Sequence, residues 1–330
     1  DMALMVVSEQ NHFDKQEEAL VNEFVKRDIP YIIVCNKTEP ISKTSTPGKS
    51  NSSNRDTMLN IQNKPCGFKD FNAPRVEVSA KTGEGIQNLL SQMAALKKED
   101  DGQLHLVDGI IDRGDTAVLV TPIDKGAPKG RIILPQQQVL RDILDHNATA
   151  LVTKETELEK ALKTLALPPK IVITDSQAFC QVAKIIPSEV PLTSFSILFA
   201  RQKGNLNLFY QSIKAIDALN DGDHVLVAEG CTHHRQEDDI GTVKIPNMLL
   251  KKTNKKLIFE YTSGGFFDKD LSKYKLIIHC GACMLNKREM EYRQNQAFDA
   301  NVPMVNYGMV LAFGTGILKR AIKPFENELI

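Results

Sequence analysis

The chain has 330 residues, and its 41 Lys plus Arg balance 41 Asp plus Glu, so no global field draws it toward nucleic acid or an anionic membrane surface. Six cysteines (Cys35, Cys66, Cys180, Cys231, Cys280, Cys283) are too sparse for a disulfide-stapled secreted domain and point to a reducing compartment. With 42% hydrophobic residues, the length suits two or three packed domains of ~100 to 200 residues each; no apolar run approaches the ~18 residues of a membrane span, and the first residues show no signal peptide.

In chain order, the apolar run Met2–Val7 reads as a buried parallel strand, residues 16–26 carry apolar positions at helical spacing, and Tyr31–Cys35 is a second buried strand. Asn36-Lys37-Thr38-Glu39 follows that strand. A further strand at Val76–Val78 runs into Ser79-Ala80-Lys81-Thr82-Gly83-Glu84-Gly85, with a helix predicted over 85–97. Both loops fall at strand C-terminal ends, the edge where open α/β sheets bind ligands. They resemble the fourth and fifth guanine-recognition motifs of the translation-factor-like GTPases. The resemblance implies that Asn36 and Lys37 frame a guanine ring, that Glu39 stands where an aspartate is usual and accepts from the base, and that the Ser79, Ala80 and Lys81 backbone approaches its carbonyl oxygen. No G-x-x-x-x-G-K-[ST] loop occurs, so a phosphate cradle and magnesium ligands are not expected here. The expectation is the C-terminal part of a P-loop-type GTPase domain that does not hydrolyse GTP by itself, with the N-terminal half missing. Residues 40–74, rich in Ser, Asn, Lys, Thr and Pro, read as a mobile insertion.

A boundary is expected near residue 100, after which the pattern restarts. Strands are predicted at 117–121, 148–152 and 170–174, with helices at 138–144, 156–165 and 176–185, and 192–198 closes this segment. Lys125, Lys129 and Arg131 in the connecting loop could hold an anion, although a Gly/Pro connection with solvated charges is the plainer reading. A domain without chemistry of its own suits dimerisation. A helix at 207–219 leads to strands at 224–228, 256–261, 275–278 and 302–305, with helices at 247–252, 286–300 and 308–322.

The most specific chemistry lies in this last segment. Cys231-Thr232-His233 is followed, after 45 intervening residues, by His279-Cys280-Gly281-Ala282-Cys283. Thiolates are ligands of choice for zinc and iron–sulfur centres, and a C-x-x-C pair aims two sulfurs at one metal or cluster. Three cysteines with two histidines leave two readings open: a Cys/His zinc site, or a cluster with one replaceable position. Glu229, Asp238 and Asp239 are candidate labile carboxylate ligands, against a plainer role as solvated loop or helix-start acids. Cys35 and Cys180 read as small core residues, His234 as exposed, and Ser263–Asp268 as a turn or a flexible wall of the site.

The C-x-H and H-C-x-x-C clusters, together with Val120–Asp124, Ala127–Arg131, Ile133–Gln136, His279–Met284 and Val302–Gly308, resemble the scaffold GTPase family of FeFe-hydrogenase maturation, HydF. The resemblance covers the chain apart from the 40–74 insertion. It implies an α/β protein of three consecutive domains with mostly parallel sheets: a partial GTPase domain (1–100), a dimerisation domain (101–203) and an iron–sulfur-cluster-binding domain (204–330). It further implies a 4Fe–4S cluster on Cys231, Cys280 and Cys283, with His233 and His279 as fourth ligands or neighbouring donors. The cargo would be a di-iron precursor made by radical-SAM maturases and delivered to apo-hydrogenase, with GTP and Mg in the complete protein. A cytoplasmic homodimer is expected, in an anaerobic organelle if the source is eukaryotic. A zinc-stabilised regulatory GTPase and an iron–sulfur redox enzyme are the alternatives.

Overall fold

The computed structural model describes residues 2–8, 15–37, 73–96, 104–123, 130–232, 239–265, 267 and 270–329. Most of the 40–74 insertion, together with Glu39, Lys125, Lys129, His233, His234 and Asp238, lies outside them. Among the described residues no helix is long and apolar enough to cross a membrane. The chain divides into two compact units, Asp1–Gly102 and Gln103–Ile330.

The first unit is a three-stranded parallel sheet of β1 (Ala3–Ser8), β2 (Tyr31–Asn36) and β3 (Arg75–Val78), in that order, with α1 (Lys15–Lys26) and α2 (Ile86–Leu96). Successive side chains of a strand face opposite ways, and β2 buries both sets. Tyr31 and Ile33 pack with Met5, Val7 and Val21 of α1, while Ile32 and Val34 pack with Val76 and Val78 against Ile86, Leu89, Met93 and Leu96 of α2. That double burial explains why β2 reads as an unbroken apolar run.

The second unit contains β4 (Thr116–Val120), α3 (Leu134–Asp145), β5 (Thr149–Thr153), α4 (Leu158–Lys163), β6 (Ile171–Thr174), α5 (Phe179–Ile185), β7 (Leu192–Ser194), α6 (Phe195–Lys203) and α7 (Leu206–Ser212). It continues with β8 (His224–Glu229), α8 (Ile245–Thr253), β9 (Ile258–Ser263), β10 (Tyr274–His279), α9 (Lys287–Asp299), β11 (Met304–Asn306), α10 (Tyr307–Gly314) and α11 (Leu318–Ile322). These form two four-stranded parallel sheets, ordered β5-β4-β6-β7 and β9-β8-β10-β11, under one continuous hydrophobic core.

The two sheets repeat each other in detail. Both use the strand order second, first, third, fourth. Gly114-Asp115 before β4 matches Gly222-Asp223 before β8, with both glycines at positive φ (86° and 83°). The Asp115 carboxylate accepts from the Asp112 amide at 2.9 Å, as the Asp223 carboxylate does from the Asn220 amide at 2.7 Å. Asn147 and Asn254 end the equivalent helices in the left-handed region, at φ 56° and 55°. Val190-Pro191 and Val302-Pro303 enter the fourth strands, where both prolines accept a third-strand amide at 2.9 Å. Unit two is therefore an internal duplication. Its signal is a handful of turn residues and strand-entry prolines spread over about a hundred positions, too dilute for the periodicity reading to register.

Three predicted elements differ at their ends. The helix expected from 138 begins at Leu134, because Pro135 falls in the first turn, where its missing N–H costs no bond. The segment 192–198 is a three-residue strand followed by a helix capped by Ser194, whose side chain accepts from the Ile197 amide. The segment 308–322 is two helices, separated where Gly316 adopts φ 76°. Cys180 is exposed rather than a core residue, since it lies on the outer face of the short α5.

In the first repeat, His146 Nδ1 lies 2.8 Å from the Asp142 carbonyl and Nε2 2.9 Å from the Asp108 carboxylate. Those acceptors raise the His146 pKa, the backbone bond to Asp142 most strongly, against partial desolvation. A raised folded value means that the stabilisation is complete below the unfolded value of ~6.5 and is lost as pH rises through the folded one. The NMR titration midpoint of His146 should therefore lie above that of an unfolded histidine, and Asp108→Asn should move it down; a midpoint unmoved by the substitution refutes the assignment.

Candidate metal centre

In the second repeat β8 and β10 are adjacent and parallel, with Ala228 opposite His279. The chain leaves β8 for one side of the sheet and returns to β10 on the other, which makes the gap beyond their C-terminal ends a topological switch point, where side chains from two crossovers can meet. Cys231 lies two residues past β8 and Cys280 one residue past β10. The Cys280 amide donates to the Ala228 carbonyl at 2.9 Å, extending the ladder into the loop.

Cys280 Sγ accepts from the Gly230 amide at 3.1 Å and the Ala282 amide at 3.4 Å, so each loop contributes one donor to the same sulfur. Burial pushes the Cys280 thiol up to about 12, and the neighbouring Cys283 and Cys231 thiols add to the shift. Burial raises the Cys283 thiol as well, partly offset by the Lys203 ammonium. All three cysteines are outside any disulfide. Among the described residues, no three His, Cys, Asp or Glu side chains converge closely enough to hold a metal ion in this arrangement. What the fold assembles is the set of donors: three thiols at one sheet edge, with backbone N–H groups already aimed at sulfur.

His279 is fully buried and committed elsewhere. Arg293 Nη1 donates to its Nε2 at 3.2 Å, which leaves the proton on Nδ1 to donate to the Cys280 carbonyl at 2.9 Å. Desolvation lowers its pKa to about 4, and Arg293 adds to the effect. Arg293, itself fully buried on α9, also donates to Glu289 Oε1 and to the Gly264 carbonyl, each at 2.8 Å, under the Phe267 ring. The arginine thus ties the ends of β9 and β10 to α9, and through His279 it orients the first thiol of the loop.

The carboxylates divide. Glu229 is buried, with the Tyr307 hydroxyl 3.4 Å from Oε1, and is not a solvated loop acid. Its charge and that of Cys280 help raise the Tyr307 pKa well above 10, after desolvation. A Cβ at Gly241 would run into the Tyr307 hydroxyl and come within 2.8 Å of Glu229 Oε1, so a larger residue there would displace these side-chain ends. Asp239 is a helix-start residue, accepting from the Thr242 amide and hydroxyl at 2.8 Å each.

Sequence reasoning missed Lys203, the last residue of α6. Its ammonium donates to the carbonyls of Ala282 at 2.9 Å, Cys283 at 3.0 Å and Leu285 at 2.7 Å. Nothing in the local sequence marks a lysine at a helix end as a partner of a loop some eighty residues away.

In the first unit the Asn36 carboxamide accepts from the Ala80 amide at 3.0 Å, and the Lys37 amide donates to the Val78 carbonyl at 2.7 Å, so the two base-recognition-like loops are joined. Ser79 is buried, Lys81 is exposed, and Gly85 sits at φ 78°, where a Cβ would strike the Glu77 carbonyl oxygen.

Two family profiles match the second unit: the hydrogen maturase F dimerization domain over residues 106–204 and the hydrogen maturase F tetramerization domain over 207–324. The chain belongs to the hydrogen maturase F family. No curated protein matches it. The first repeat of unit two is thus the hydrogen maturase F dimerization domain, and the second, which carries the thiols, is the tetramerization domain. Hydrogenase maturation and self-association follow from that membership.

Two outcomes test this geometry. In the metal-free chain, iodoacetamide should label Cys283 faster than Cys280, read by peptide mass spectrometry; equal rates would contradict the enclosure of Cys280. Arg293→Met should destabilise unit two by about 3 kcal/mol in urea denaturation, the scale for removing one partner of a buried ion pair; a change under about 1 kcal/mol argues against its anchoring role.

Proposed function

We propose that the chain is a scaffold for hydrogenase metallocofactor assembly, holding a 4Fe–4S cluster on Cys231, Cys280 and Cys283 and carrying a di-iron precursor to apo-hydrogenase. The observation that carries this reading is the placement of three thiols from two distant loops across one strand pair, with two backbone amides pointed at the Cys280 sulfur. Amide-to-sulfur hydrogen bonds stabilise thiolate and tune cluster potential, so the donor set suits iron–sulfur ligation. A cluster held by only three thiolates supplies one iron with an exchangeable position, which is what a carrier of a labile cargo requires. His233 and Asp238 remain candidates for that position, whereas the two hydrogen bonds of His279 give it an orienting role on the loop.

The chain's own residues do the holding. Cys280 is enclosed and high in pKa without metal, so loading must displace its proton, and iron uptake should release protons and favour alkaline conditions. Radical-SAM maturases as donors and apo FeFe-hydrogenase as acceptor are the partners this reading requires. For the first unit, the Asn36–Ala80 link supports a guanine-base site built from Asn36, Lys37, Glu39, Ser79, Ala80 and Lys81.

Anaerobic reconstitution with iron and sulfide, followed by metal analysis and EPR, decides the central claim. The expected outcome is about four irons per chain, with most of the iron lost in each of Cys231→Ala, Cys280→Ala and Cys283→Ala. Stoichiometric zinc without a cluster would replace this reading by a closed structural site, and full retention in any one variant would remove that residue from the ligand set.

A further inference from the structure

The C-x-x-C loop does not stand on its own sheet alone. Between β10 and α9 it spans Cys280–Asn286, whereas the first repeat passes from β6 to α5 through Asp175 and a single tight turn, Ser176–Ala178. The longer loop lies along α6, which belongs to the first repeat. Gly281 approaches Ser196 so closely that an added Cβ would sit 3.1 Å from its hydroxyl. Two helical turns further on, on the same face, Lys203 gives its three ammonium protons to three carbonyls of the loop. Phe199 lies between them, with the Lys203 ammonium 4.9 Å from its ring centroid. The end of α6 is pinned in turn: Gln294 of α9 accepts from the Asn205 amide at 2.8 Å and donates to the Asn205 carbonyl at 3.1 Å.

Three carbonyls gathered on one ammonium fix the peptide planes of residues 282–285, and so the direction of the Cys283 side chain relative to Cys280. The same ammonium puts one positive charge beside a site that would carry three thiolates. We propose that Lys203 is a positioning and charge-balancing residue of the thiol site, through which the dimerization domain sets the geometry of the C-x-x-C loop in the tetramerization domain. The proposal rests on the cluster reading for its charge role and on the three Lys203 hydrogen bonds alone for its hold on the loop.

The test compares the full chain with Lys203→Met and Lys203→Arg. Before iron is added, hydrogen exchange over residues 280–286 should be about tenfold faster in Lys203→Met, the scale of one lost charge-assisted hydrogen bond. Exchange in β4 and β6 should be unchanged, which separates loop release from unfolding. After reconstitution, the Lys203→Met cluster should show a lower reduction potential and an altered EPR line shape, and Lys203→Arg, which keeps the charge, should restore the potential. Unchanged loop exchange, or a Lys203→Met cluster with wild-type potential and spectrum, overturns the proposal. If the unsubstituted chain takes up no iron and sulfide, the cluster reading fails, and the exchange arm alone decides whether Lys203 shapes the loop.

Discussion

The parallel pairing of β8 with β10 is the constraint on which the site depends. A parallel pair needs a crossover, and the crossover here carries β9 and α8, which is why the C-x-H and H-C-x-x-C clusters stand so far apart in the chain yet share one sheet edge. The pairing continues one residue past the strand, through the Cys280 amide and the Ala228 carbonyl, so Cys280 is placed by the ladder itself rather than by a free loop. Its neighbours are placed by other means: Gly230 donates to its sulfur, His279 binds its carbonyl, and Arg293 holds His279. The Arg293–His279 bond is buried and the other two are partly buried, and a buried polar group without its partner is costly, so the arrangement is held as a set.

The duplication gives that site a context. Two copies of one βαβ scaffold lie under a common core, and only the second carries thiols at its switch point. At the equivalent place in the first copy, Thr174 leads into Asp175, which caps the next turn by accepting from the Gln177 amide, and Ser176 bonds Ser194. The first copy has turned its α6 into a support for the other copy's loop. The two halves of similar fold carry the distinct association roles named for the matched domains, dimerization for the first and tetramerization for the second.

Much of this was legible in the residues. Unbroken apolar runs such as Tyr31–Val34 and Val225–Ala228 announce strands buried on both faces, and the alternation of strands with helical patterns announces parallel sheets. Cys231, Cys280 and Cys283 stood out because thiols in that spacing have few other uses. Legibility failed where a side chain's meaning depends on a distant partner. Glu229 read as a loop acid and is buried against Tyr307; His279 read as a ligand or a donor to sulfur and is bonded to Arg293 and to a carbonyl; Cys180 read as core and is exposed.

The sequence by itself determined the element order, the parallel α/β class and the clustering of the three thiols, because burial periodicity and residue spacing are local properties of a chain. Only the tertiary structure decided which strand ends meet, that unit two repeats itself, and that Lys203 and Arg293 brace the thiol loop from helices outside the motif. Those facts depend on contacts between residues tens of positions apart. Such contacts are set by sheet topology and shared core packing, and no local pattern records them.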